Sequence, residues 1–78
     1  KDQSFTQAIL QTMAGLYEQR TFYLRAVQTY RIIRDFYPYD PDLPQIFAAI
    51  IQNYENGGDI QQANRVRRSA VDLFGPCG

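Results

Sequence analysis

Hydrophobic residues recur along this chain at intervals of three and four, in four blocks separated by residues that end helices. In the first block Phe5, Ile9, Leu10, Met13, Leu16 and Tyr17 follow helical spacing and predict a helix over 4–19. Ser4 and Gln7 are placed to form a capping box at its start. Ala14 and Gly15 put small residues mid-helix; Gly15 costs about 1 kcal/mol of helix propensity, which implies close approach of another backbone. The second block, Tyr23, Ala26, Val27, Tyr30, Ile33, Phe36 and Tyr37, predicts a helix over 21–36 with Thr21 as N-cap. Pro38 forbids continuation, and the short interval after Gln19 implies an antiparallel hairpin.

The third block is Leu43, Ile46, Phe47, Ile50, Ile51 and Tyr54, preceded by the turn-rich run Tyr39-Asp40-Pro41-Asp42-Leu43-Pro44. Asp40 or Asp42 caps this helix, and Asn56-Gly57-Gly58 ends it. The fourth block, Ile60, Ala63, Val66, Ala70, Val71, Leu73 and Phe74, starts at Asp59 and stops at Gly75-Pro76. No segment alternates with period two. The chain reads as all-α, four helices in two antiparallel hairpins.

The two halves repeat at a separation of 37 residues: Tyr17 with Tyr54 and Ala26 with Ala63. Leu10 then matches Phe47, Met13 matches Ile50, Thr21 matches Gly58, Tyr23 matches Ile60, Ile33 matches Ala70 and Phe36 matches Leu73. A fixed period of one helix pair is the signature of a solenoid. The order of features resembles the tetratricopeptide repeat. Its first helix carries a large residue, a large–small pair and an aromatic, here Leu10, Met13-Ala14 and Tyr17, then Phe47, Ile50-Ile51 and Tyr54. Gly58 supplies the small residue of the turn, Ala26, Ala63 and Ala70 the small residues of the second helix, Tyr30 its aromatic and Pro38 its stop. Thr21, Ile33, Ile51 and Arg67 depart from the pattern, and the period exceeds the family's usual length of about 34 residues.

The resemblance implies a right-handed α-solenoid, with repeats over about 4–38 and 43–76 and a linker over 39–43. The resemblance further implies a non-catalytic scaffold that binds a protein or peptide on its concave side. Carried over by position, that side holds Gln11, Thr12, Gly15, Glu18 and Gln19, then Gln45, Ala48, Ala49, Gln52, Glu55 and Asn56. This surface is rich in amides and nearly free of cations, and suits a neutral or basic peptide rather than an acidic tail. The linker's proline and aspartate are similar to repeats of bacterial envelope proteins, which leaves the compartment open but inclines the expectation toward the periplasm or outer membrane. Two helix pairs leave apolar ends uncovered, so the segment, read as part of a longer protein, is expected to self-associate in isolation.

Composition narrows the chemistry. With 78 residues, 45% of them hydrophobic, the chain supports one small domain, and chains of this size bury only about 60% of their unfolded surface. Eight basic and eight acidic residues cancel, which gives no general field for nucleic acid. No apolar run is long enough to span a bilayer. There is no histidine, and Cys77 is the single cysteine, so no internal disulfide, metal cage or catalytic constellation is assembled, and no cofactor is implied. Glu18 and Glu55 occupy equivalent positions and could pair as an acid dyad across hairpins; solvated polar positions are the plainer reading. Arg65, Arg67 and Arg68 form the densest basic cluster, which supports a nucleic-acid-binding helical repeat as the alternative function. A regulatory domain of an enzyme whose active site lies elsewhere is the other alternative.

Overall fold

The computed structural model describes residues 3–75 and contains four α-helices and, among the described residues, no strand: α1 (Gln3–Gln19), α2 (Tyr23–Phe36), α3 (Leu43–Asn56) and α4 (Ile60–Phe74). Each helix packs mainly on its neighbours in sequence, α1 on α2, α2 on α3 and α3 on α4. The described chain measures 35 × 30 × 16 Å, a slab rather than a ball. None of its helices is long and apolar enough to cross a membrane.

The core forms where α2 and α3 meet. Val27 and Ile33 from α2 interlock with Leu43, Ile46, Phe47 and Ile50 from α3. Full burial of such side chains stabilises by about 1.5–3 kcal/mol each. Ala14, Ala26 and Ala63 are wholly buried, so an alanine marks the close approach within each hairpin. Ala70, Tyr30 and Tyr54 are partly buried and packed against the core.

Both hairpin turns use one hydrogen-bond scheme. At the end of α1 the Phe22 N–H donates to Tyr17 O at 2.8 Å and the Thr21 N–H to Glu18 O at 3.0 Å. At the end of α3 the Asp59 N–H donates to Tyr54 O at 2.8 Å and the Gly58 N–H to Glu55 O at 3.0 Å. Each is a Schellman motif, and the residue that must turn left-handed is Thr21 in one (φ 62°) and Gly58 in the other (φ 87°). The next bonds match as well: Ala26 N–H to Phe22 O and Ala63 N–H to Asp59 O. The spacing of 37 residues therefore holds bond by bond through both turns.

Several expectations change. Thr21 is not an N-cap: it belongs to the preceding turn, and Phe22 takes the cap position without a side-chain bond. Its hydroxyl donates to the Arg20 carbonyl instead. Ser4 lies inside α1, which is already helical at Gln3, and the side-chain contacts of the expected capping box lie outside what the structure describes. A Cβ built on Gly15 meets nothing within 4 Å, so no second backbone approaches it; the close approach is at Gly57, whose Cβ would lie 3.5 Å from the Tyr23 Cβ. Asp59 caps α4 by accepting from the Gln62 N–H at 3.2 Å. Asp42 holds the cap position of α3 without a side-chain cap bond, while Asp40 folds the linker by accepting from the Asp42 N–H at 2.7 Å. Gly75 closes α4 with φ 92°, and Pro76 and Cys77 lie outside the described residues.

The outer helices bury less than their patterns suggest. Phe5, Ile9, Met13 and Leu16 on α1 are exposed, as are Ile60, Val71, Leu73 and Phe74 on α4. Phe36, at the end of α2, also faces outward, and Tyr39 in the linker is 96% exposed. An outer helix has one neighbour, so only part of its apolar stripe is covered.

Candidate partner-binding groove

Between α1 and α3 runs a groove of about 330 Å³ lined by Gln11, Tyr30, Asp42, Gln45, Ile46 and Ala49. Gln11 comes from α1, while Gln45 and Ala49 stand one helical turn apart on α3. Tyr30 reaches in from α2, the helix packed against both. Two amides, one carboxylate and a phenol ring are thereby presented beside the apolar Ile46 and Ala49. The lining has one acidic residue and no basic one. It can offer hydrogen bonds to an extended backbone and attract positive charge.

Tyr30 lies beside Glu18. Burial pushes the Tyr30 hydroxyl up to about 12, and the Glu18 carboxylate beside it adds to this by its charge and by accepting a hydrogen bond. Glu18 also receives Asn53 Nδ2 from α3 at 2.6 Å. One half-buried carboxylate on α1 thus ties α2 and α3 together. Asn53 is only 2% exposed, and its Nδ2 also donates to the Ala49 carbonyl at 2.8 Å. Its Oδ1 is buried with no hydrogen-bond partner in the structure.

The second hairpin repeats this polar link with different chemistry. Glu55 stands 37 residues after Glu18, and Arg67 stands 37 after Tyr30. Arg67 Nη2 donates to Glu55 Oε2, and Arg67 Nη1 to Asn64 Oδ1 at 2.8 Å. A carboxylate from the first helix thus meets a donor from the second helix in both hairpins. The acid dyad does not form: Glu18 and Glu55 each serve separate partners.

Of the residues expected on the concave side, the groove brings together Gln11, Gln45 and Ala49. Gln52 and Asn56 bond to each other along α3 at 3.0 Å, and Thr12 and Gln19 are exposed on α1. Asn53 and Asp42 were absent from the expected set. The sequence does carry a signal for Asn53, which continues the stripe of Ile46 and Ile50 with a polar residue. Arg65 and Arg68 are exposed, and neither forms an ion pair among the described residues. Among these residues, too, no group of His, Cys, Asp and Glu is placed to hold a metal ion.

No family model, curated protein or solved structure matches this chain.

Proposed function

We propose that this chain is a non-catalytic protein-interaction module built from two tetratricopeptide-like hairpins, which binds a neutral or basic peptide segment in the groove between α1 and α3. The observation that carries this reading is the groove lining: amides at Gln11 and Gln45, the Tyr30 phenol, an acid at Asp42, and no cation. Amide side chains pair with the N–H and C=O groups of an extended chain, and the uncompensated carboxylate favours a cationic residue in that chain. The 37-residue correspondence of the two turns supports the repeat reading. A bacterial multiprotein assembly at the cell envelope is the setting that the linker's proline and aspartate suggest.

Titration of isotope-labelled protein with two peptide pools, one of Lys, Gly and Ala and one of Glu, Gly and Ala, tests the reading. The basic pool is expected to shift the resonances of Gln11, Tyr30 and Gln45, and the double substitution Gln11→Ala with Gln45→Ala should weaken it at least tenfold with an unchanged melting temperature. Preferential binding of the acidic pool, or shifts centred on Arg65 and Arg68, would overturn it.

A further inference from the structure

The two outer faces of the chain have the same register as the junction at its centre. Moving α3 back by 37 residues places Ile46 on Ile9 and Ile50 on Met13. In α3 these two are 4% and 0% exposed beneath α2; in α1 they are 45% and 40% exposed beneath nothing. Moving α2 forward by the same step places Ile33 on Ala70, Arg34 on Val71 and Tyr37 on Phe74. The free face of α1 therefore corresponds to the covered face of α3, and the free face of α4 to the covering face of α2.

Some of the residues that differ do so in opposite senses on the two faces. α4 is slimmer than α2, with Ala70 for Ile33, while α1 is bulkier than α3, with Leu16 for Asn53 and Phe5 for Asp42. At the central junction the aromatic Tyr30 and the charged Asp42 line one groove. At the outer faces the equivalent positions hold charged Arg67 and aromatic Phe5, so the aromatic and the charge have exchanged sides. A guanidinium over a phenyl ring is a favourable contact, and Arg34 already lies 5.9 Å from the Phe47 ring centroid within the chain.

We propose that a second copy of this chain docks head to tail, its α1 face, carrying Ile9, Met13 and Leu16, seated on the exposed part of α4 around Arg67, Val71 and Phe74, the last of which also packs edge-on against Phe47 of its own chain at 5.3 Å. The contact is heterologous: each copy offers two different surfaces, and further copies extend the array. It is independent of what the groove binds, and its failure would leave the peptide-binding reading intact.

The test is analytical ultracentrifugation of the chain under reducing conditions, so that Cys77 cannot link copies. The mass of the wild type should rise with concentration. Met13→Glu and Val71→Glu each remove one of the two surfaces, so each variant alone should sediment as a single chain. An equimolar mixture retains one intact surface of each kind and should form a one-to-one pair. A wild type that stays a single chain up to about 1 mM, the range of the weakest specific contacts, would overturn the proposal. So would a variant that still associates alone, as face-to-face pairing would produce, or a mixture that fails to recombine. If a variant loses its helical circular dichroism, dilution of the wild type followed by methyl resonances decides. Shifts at both Met13 and Val71 support the contact, and shifts at only one face, or none, refute it.

Discussion

Thr21 and Gly58 do the same task with unequal means. Both turn left-handed to close a Schellman motif, but a β-branched side chain is strained there and glycine is not. Thr21→Gly is expected to stabilise by about 1 kcal/mol, raising the melting temperature by about 4–8 °C in a domain of this size. A lowered melting temperature would show that the Thr21 hydroxyl contributes more than the strain removes. Tyr30 supplies a second prediction. Its folded pKa of about 12 exceeds the usual 10, so the stability it contributes is present below pH 10 and is lost as pH rises toward 12. The group is partly exposed, and solvent screening limits the effect to about 1 kcal/mol. Urea melts at either end of this window should show a wild-type advantage over Tyr30→Phe that shrinks as pH rises. A constant difference would mean that neither burial nor the neighbouring Glu18 carboxylate disfavours the phenolate in the folded chain.

At the scale of the helix, equivalent residues differ in value because their helices differ in number of neighbours. Ile46 and Ile9 are the same residue in the same register, one beneath α2 and one in the open. Ile46→Ala should cost about 2–5 kcal/mol, whereas Ile9→Ala, measured at low concentration, should cost less than about 1 kcal/mol. Equal losses in denaturant melts would contradict the arrangement of α1 and α3. The same contrast explains what the sequence made legible. Helical periodicity located all four helices, and the stop at Asn56-Gly57-Gly58 is correct to the residue because glycine admits the backbone state a helix end requires. Periodicity states which residues share a stripe but not how much of the stripe a neighbour covers, so Phe5, Ile9, Met13 and Leu16 read like core and are surface. The groove was half legible. Gln11 and Gln45 follow from position in the repeat, but the link from Glu18 to Asn53 joins side chains 35 residues apart and has no local signal beyond a polar residue on an apolar stripe. Thr21 reads as a cap because its residue type favours caps, while its place as the fifth residue of a Schellman turn depends on Tyr17 and Glu18 before it.

Across the whole molecule, packing runs from each helix to the next, so α2 and α3 are flanked on two sides and α1 and α4 on one. Opening should begin at the end helices, which have one neighbour each. Amide hydrogen exchange on dilute protein is expected to be slowest in α2 and α3 and faster in α1 and α4; uniform protection would indicate all-or-none opening instead. The paired Schellman turns also bear on how such a chain can grow. Phe22 follows one left-handed residue and Gly58 is another, so the segment between them starts and ends in matching backbone states. A duplicate of it inserted after Gly58 would enter from a left-handed residue and leave through one, reaching Asp59 as the existing chain does. Length can therefore change in whole helix pairs by copying alone, with no new junction to be invented.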